Sequence, residues 1–288
     1  IKKLKEFYLS SYPEDNKLFH EQYLKWFLLS NPLGVAKCVI VTLEDKIIGN
    51  MFLIPAQLIK AGVEKEGYFA ADVLTHPQHR DKNLFVKMIR KTIEELKNQN
   101  RFILGHPNKN AVPGWKRTKM RFCSLIRSHI SKPRIFKQNV TSQVLNSKEE
   151  LYSLCNDIAL INRRSDNLIV NATCDYLYWR YMSHPTQSYK LSAIYASHEF
   201  CGLLVSYKYK ALIDRVVHYS VVNNKAGVIF NSSMFPKIFY FPNNSLMDEY
   251  KSFFFNKYIG SEINFFYTDF SNVGSDDASF ITFAACDN

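Results

Sequence analysis

Four residues, Arg80, Asp81, Lys82 and Asn83, join a strand-like run from Tyr68 to Thr75 to a run of helical periodicity that begins at Leu84. A strand that delivers a short cationic loop to a helix N-terminus is suited to holding phosphate. The first-turn N–H groups of a helix have no intrahelical acceptor, the helix dipole favours an anion there, and Arg80 and Lys82 add full positive charges. His76-Pro77 breaks the strand, and Gln78-His79 leads into the loop. Leu84, Phe85, Met88, Ile89, Thr92, Ile93 and Leu96 recur at helical spacing, with Lys87, Arg90, Lys91, Glu94 and Glu95 between them.

The charge of the chain matches such a site. Of 288 residues, 37 are Lys or Arg and 26 are Asp or Glu, a net charge of +11. Residues 1–150 hold 26 of the basic and 14 of the acidic residues, so the whole excess lies in the first half. Between His79 and Gln138, 16 basic residues meet only Asp81, Glu94 and Glu95, and a concave site in this region would attract a polyanion. With 47% apolar residues, the chain is expected to be globular, with one large or two medium cores. No apolar run approaches the roughly 20 residues of a membrane span. The opening Ile1-Lys2-Lys3-Leu4-Lys5 is unlike a signal peptide, so a cytoplasmic location and no membrane partner are expected. Cys38, Cys123, Cys155, Cys174, Cys201 and Cys286 show no C-x-x-C and no nearby histidine at ligand spacing. They read as buried free thiols, with neither a metal nor a disulfide framework.

The elements that must position the loop occur twice. At a shift of 153 residues, Tyr23, Leu24, Trp26, Ser30, Pro32 and Gly49 fall on Tyr176, Leu177, Trp179, Ser183, Pro185 and Gly202. Each copy reads as a helix carrying Tyr-Leu-x-Trp, a Ser-x-Pro stop, and two strands joined by a polar turn, Glu44-Asp45-Lys46 or Ser197-His198-Glu199. The run Phe102 to Asn108 matches Ile238 to Asn243 at a shift of 135, so 18 residues are missing from the second copy between these landmarks. The second copy is therefore expected to lack the anion-binding loop and helix. Equivalent tryptophans in both copies favour core packing over ligand stacking.

In the first copy the expected elements are a helix at 15–30, strands at 37–43, 46–57 and 67–75, a helix at 83–98, a strand at 101–105, a short helix near Trp115 and strands over 122–130. A connector spans 131–147. The second copy begins with a helix at 148–164, continues in strands at 189–196, 200–208 and 213–222, and ends in a helix at 245–258 and terminal strands. The fold class is α+β with mixed central sheets, and the domains are 1–138 and 139–288.

These residues resemble the GNAT acyl-CoA-dependent N-acyltransferases. The family's hallmark is a strand, often ending Val-x-Pro, followed by R/Q-x-x-G-x-G/A at the start of a long helix. Here the strand ends Leu74-Thr75-His76-Pro77 and Arg80 takes the first motif position. Asn83 replaces the first glycine and Phe85 the last small residue. Asparagine is the residue next most tolerant of positive φ, and Phe85 is accommodated if it points at the sheet. Gly105-His106-Pro107-Asn108 and Ala111 to Trp115 add a second similarity, since many members hold the pantetheine arm with an asparagine after this strand.

The resemblance implies tandem GNAT-like domains, with acyl-CoA (acetyl-CoA or a short hydroxyacyl-CoA) bound along the first. Pantetheine would bond the backbone at Val73, Leu74 and Thr75, and the pyrophosphate would lie on Arg80, Asp81, Lys82, Asn83, Leu84 and Phe85. Asn108 would meet the arm, and Lys82, Lys116, Arg117 and Lys119 are candidates for the adenosine 3′-phosphate. Asp72 is the leading general base; the alternative is a carboxylate bonded to nearby backbone or paired with Arg80. His106 and His76 are further candidate bases. Family members often carry a glutamate some three residues before Asp72, where this chain has Phe69.

For the acceptor, Arg180, Tyr207, His218 and His106 are candidates, and Tyr219 is a candidate acid for the leaving thiolate. The resemblance to two-domain members points to transfer onto a nucleotide-linked amino sugar, a dTDP-amino-dideoxy sugar first. Acylation of an aminoacyl or peptide amine, as in peptidoglycan-bridge enzymes, and a non-enzymatic nucleic-acid-binding protein are the other readings. The apolar periodicity within 79–138 and the lack of a zinc or RNP-type motif disfavour nucleic acid as a partner.

Overall fold

Two tight hairpins lay out the two halves of the chain. In the first, β1 (Lys37–Leu43) and β2 (Lys46–Lys60) turn at Glu44 and Asp45, both left-handed with φ of 47° and 61°. In the second, β8 (Lys190–Ala196) and β9 (Glu199–Lys210) turn at Ser197 and His198, with φ of 49° and 67°. Paired left-handed residues suit the right-handed twist of the strands, and the two turns stand 153 residues apart, as the repeat requires. The computed structural model describes residues 2–13, 16–123, 125–133, 139–222, 225–230, 232, 235–242 and 251–270, with backbone alone at 242, 251 and 256–262.

Each hairpin then gains an antiparallel strand and a parallel one. β3 (Val63–Thr75) lies beside β2, and β4 (Phe102–Gly105) joins β3 in parallel, pairing Gly67 with Phe102. β10 (Ile213–Val221) lies beside β9, and β11 (Lys237–Pro242) joins it in parallel, pairing Asp214 with Lys237. A parallel pair needs a crossover. In the first half that crossover contains α3 (Leu84–Asn98), whereas among the described residues the second holds the five of α8 (Ala226–Phe230). The second crossover, 222–236 against 76–101, accounts for 11 of the 18 missing residues, and the hairpin from Gly202 to Val221, against Gly49 to Thr75, accounts for the other seven.

The halves also complete each other's sheets. β5 (Ile126–Ser131), from the first half, pairs with β11, while β13 (Phe266–Asp269), from the far end, pairs with β4. The strand orders are β1-β2-β3-β4-β13, with β7 (Ile169–Val170) on β2, and β12-β5-β11-β10-β9-β8-β6, where β12 is Phe254–Ile263 and β6 is Val140–Leu145. The sheets thus exchange strands across the 138/139 division. A core containing Leu58, Phe102, Leu104, Ile126, Leu168, Phe265 and Tyr267 is drawn from both halves.

Helices cover the sheets. α1 (Lys2–Leu9) and α2 (Glu21–Leu29) bury Leu4, Phe7, Tyr8, Leu24 and Leu28 in one core with Phe52, Ile54 and Trp179. α4 (Val112–Lys116) packs beside α3. In the second half α5 (Lys148–Tyr152) and α6 (Cys155–Arg164) precede α7 (Cys174–Leu177), which continues as a π-helical turn, Tyr178–Met182, carrying Trp179.

Several expectations need correction. α1 and β6 were not anticipated, and β6 falls in the supposed connector. The helix expected at 15–30 is a short 3₁₀ turn, Lys17–Phe19, followed by α2; Asp15 lies outside the described residues. Of the helix expected at 245–258, residues 243–250 lie outside the described residues, Lys251–Phe253 is a 3₁₀ turn, and the rest is β12. Cys155 and Cys174 form a disulfide between the starts of α6 and α7, with Cα atoms 5.7 Å apart. Their proximity comes from folding and leaves no mark in their spacing. Cys38 is exposed, Cys123 half-buried and Cys201 buried; Cys286 lies outside the described residues.

Candidate active site

The parallel pairing of β3 and β4 ends at Phe69 and Leu104. Beyond that point β3 stays bonded to β2 as far as Thr75, which pairs with Gly49, so its other edge from Ala70 onward is open. Strands that part in this way leave backbone groups able to receive an extended ligand, as at any unpaired sheet edge. A cavity of about 810 Å³ lies at the opening. Its walls include Phe69 to Val73 from β3, His106 to Ala111 after β4, Tyr12, Asn16, Lys17 and Leu18 before α2, and Ile263, Asn264 and Phe266 from the end of β12 to the start of β13.

The same β3 runs on into the cationic loop. His76 begins a 3₁₀ turn, Pro77–Lys82, and its Nδ1 accepts the Gln78 N–H at 3.3 Å. That bond gives His76 a capping role in the turn. Asn83 takes φ 56° and ψ 28°, the left-handed conformation that its place in the motif requires, and it makes no side-chain cap bond to α3. The first amides of α3 precede its ladder and have no intrahelical acceptor. Arg80, Asp81, Lys82 and Asn83 are exposed, Leu84 is buried and Phe85 is half-buried. Phe85 meets Trp115 edge-on at 5.8 Å and lies over Gly114, so it packs on α4 more than on the sheet. Lys116 is exposed, with its ammonium 5.8 Å from the Phe122 ring.

Electrostatics separate the candidate bases. Burial pushes the Asp72 carboxyl up to about 6, against a smaller opposing pull from Lys17. Burial also lowers His106 to about 3, leaving a neutral imidazole between Phe69 at 5.8 Å and Phe265 at 5.2 Å. A group that binds a proton only near pH 3 is a weak acceptor at neutral pH, whereas one near 6 is deprotonated and still basic. The alternative in which Asp72 pairs with Arg80 has no support, since Asp72 lines the cavity and the charge acting on it is Lys17. Asn108 is exposed, and its Oδ1 accepts the Ala111 N–H at 2.9 Å, shaping the turn into α4.

Four of the expected acceptor or acid residues lie elsewhere. Arg180 sits over the rings of Trp26 and Tyr181, each 5.6 Å away. The Tyr207 hydroxyl accepts from Arg215 at 3.1 Å, and His218 is buried beside Ser220, 2.9 Å away. Tyr219 packs on Phe230 and Phe239. Tyr207 on β9 and His218 and Tyr219 on β10 are held by the core and cross-strand neighbours of the second sheet, and Arg180 by the rings beside its π-helical turn; none of the four lines the cavity. Tyr12, Asn16, Lys17, Lys109, Asn110 and Asn264 line the cavity instead. Burial raises the Tyr12 hydroxyl to about 12, with the Asp72 carboxylate adding to it.

The strands that form this opening, the cationic turn and most of the cavity wall lie within a segment that matches a known domain. Residues 10–117 match the acetyltransferase (GNAT) domain. GNAT domains use acyl-CoA, typically acetyl-CoA, and the match supports an acyl-transferring enzyme acting on an amine. The fold is also that of three solved structures. A conserved protein of unknown function and probable N-acyltransferase from Enterococcus faecalis V583 superposes with a TM-score of 0.69 at 13% identity, over 91% of this chain and 69% of that one. A GCN5-related N-acetyltransferase from Anabaena variabilis ATCC 29413 gives 0.63 at 13% identity, over 93% and 69%. Another GCN5-related N-acetyltransferase, from Kribbella flavida, gives 0.57 at 9% identity, over 81% and 59%. The shared fold extends across both halves, well past the domain match. No curated protein matches the chain. Among the described residues, no helix is long and apolar enough to cross a membrane.

Proposed function

We propose that the protein transfers an acyl group from acyl-CoA to the amine of a nucleotide-linked amino sugar, a dTDP-amino-dideoxy sugar first, by direct attack in a ternary complex. The observation that carries this reading is the cavity at the parting of β3 and β4, whose lining includes Asp72, Lys17 and Lys109. A carboxylate poised near pH 6 suits an amine that must lose a proton, and the lysines suit an acceptor that also carries anionic groups.

The α3 amides, Arg80 and Lys82 would hold the pyrophosphate, and the open edge at Val73, Leu74 and Thr75 would bond the pantetheine amides. Asn108 and Lys116 flank the same path. Acyl-CoA supplies the thioester carbonyl. Asp72 accepts the proton that the amine loses as its nitrogen bonds to that carbon and the C–S bond breaks; the thiolate leaves and takes a proton from solvent.

A screen of dTDP- and UDP-linked amino sugars with acetyl-CoA and short hydroxyacyl-CoAs, read by mass spectrometry, tests the reading. The expected product is the acceptor carrying one added acyl group, with free CoA in equal amount. Acylation of a peptidoglycan-bridge peptide and of none of the sugars would remove the nucleotide-sugar assignment.

A further inference from the structure

Asp72 is the only residue other than glycine, among the described residues, that takes a left-handed φ inside a strand, at 46°. The others with positive φ, such as Glu44, Asn83 and Ser197, lie in turns. Such a conformation persists only where the surroundings impose it. The local register of β3 against β2 slips here, between Asn50 and Phe52, which marks a β-bulge.

Asn50 is fully buried on β2, and its Nδ2 serves two acceptors at the bulge. It donates to the Asp72 carbonyl oxygen at 3.3 Å and to the Tyr8 hydroxyl at 3.1 Å. Tyr8 is fully buried on α1. Burial first, and the Asp72 carboxylate second, push the Tyr8 hydroxyl well above its ordinary range, so it stays neutral beside that carboxylate. Lys17, from the turn before α2, acts on Asp72 with its charge, and Lys17, Tyr12 and His106 share the cavity wall with it.

The second half supplies a control within the same chain. At the shift of 153, Tyr8 falls on Ile161 of α6 and Asn50 on Leu203 of β9, both buried and apolar. Counting along the paired strands, from Thr75 opposite Gly49 and Val221 opposite Gly202, puts His218 at the place of Asp72. His218 does not take a positive φ, and the extra residue falls between Val216 and His218. Where the amide and the hydroxyl are missing, so is the left-handed residue.

The geometry points to Asn50, with Tyr8, as a positioning pair that holds the Asp72 bulge and so sets the carboxylate in the cavity wall. This rests on the reading of Asp72 as the base. Neither residue touches the reacting atoms; both act through Asp72.

Aspartate-selective ¹³C NMR of the full chain, with the Asp72 signal assigned by its loss in Asp72→Asn, tests the pairing. In the native chain the Asp72 carboxyl is expected to titrate near pH 6 with left-handed Cα and Cβ shifts. Asn50→Leu, which installs the residue of the second half, is expected to move those shifts to the extended range. It should also lower the titration by about one unit or more as the carboxyl gains water. Tyr8→Phe should move the same signals in the same direction by less, and it keeps the test open if Asn50→Leu does not fold. Unaltered Asp72 shifts and titration in a folded variant would overturn the positioning role. Normal turnover of Asp72→Asn would instead overturn the base assignment, and the two failures are read from different signals.

Discussion

The indole N–H of Trp26 donates to the carbonyl oxygen of Trp179 at 2.9 Å, and the indole N–H of Trp179 donates to the carbonyl oxygen of Trp26 at 3.1 Å. The rings stack with centroids 5.3 Å apart. A reciprocal bond between residues related by the repeat places a local two-fold axis between the halves, and the exchange of β5 and β13 obeys the same symmetry. Replacing either tryptophan by phenylalanine removes one indole N–H bond and leaves a smaller ring, at a cost of about 1–3 kcal/mol; each carbonyl keeps a second donor, the Ser183 hydroxyl for Trp179 and the Ser30 N–H for Trp26. Trp26→Phe and Trp179→Phe should cost similar amounts in urea unfolding, with loss of cooperativity in neither. A large effect from one and none from the other would argue against a shared junction.

Asp72→Asn should abolish most acyl transfer while preserving the bulge, because asparagine also tolerates left-handed backbone. In the native enzyme kcat/KM should rise with pH through about 6, where the buried carboxyl loses its proton. The stability sign is opposite. A carboxyl whose pKa is raised in the folded state favours folding at low pH, and that contribution is lost as pH rises from the unfolded value through about 6. At pH 8 the asparagine variant should therefore be more stable, by about 1–2 kcal/mol after solvent screening is allowed for. Paired pH profiles of activity and of thermal melting check both signs.

Asn83 should accept glycine but not a β-branched residue. Its φ of 56° costs an ordinary side chain about 1–2 kcal/mol, so Asn83→Val should weaken acetyl-CoA binding roughly tenfold as the loop shifts. Asn83→Gly should bind as well as the native chain. Calorimetric titration with acetyl-CoA distinguishes the two variants.

Gly114 is held by contact. A Cβ there would come within 2.5 Å of the Phe85 ring. Gly114→Ala should cost about 1–3 kcal/mol through overpacking, and Phe85→Leu in the same chain should recover part of it. Urea titrations of the single and double variants measure the recovery.

The parts of the site that were legible in the sequence are those written locally. Tyr68 to Thr75, the break at His76-Pro77 and the periodicity from Leu84 each declare an element through neighbours a few residues away, and Asn83 declares its backbone by its type. The matched tryptophans declared a core position. What escaped depends on contacts far along the chain. Nothing in Phe266 to Asp269 signals return to β4, and nothing in the separation of Cys155 and Cys174 signals their pairing. Tyr12, Asn16 and Lys17 stand in a polar segment without periodicity. Asn50 carried a usable sign, a single amide among Ile47, Ile48, Met51, Phe52, Leu53 and Ile54, since a polar group in such a strand must find a partner. Tyr207, His218 and Tyr219 took other partners through the register of the second sheet, and Arg180 through the π-helical turn that sets it over Trp26 and Tyr181; neither is written locally.

The central claim is that the loop from Arg80 to Phe85 binds the diphosphate of acyl-CoA beside a reactive cavity. Thermal-shift titration of the full chain with acetyl-CoA, and separately with a double-stranded DNA oligonucleotide, tests it most directly. Stabilisation by acetyl-CoA is expected, about 2.7 kcal/mol at a hundredfold excess over Kd, with its loss in the double variant Arg80→Ala, Lys82→Ala. Stabilisation by DNA with none by acetyl-CoA would contradict it.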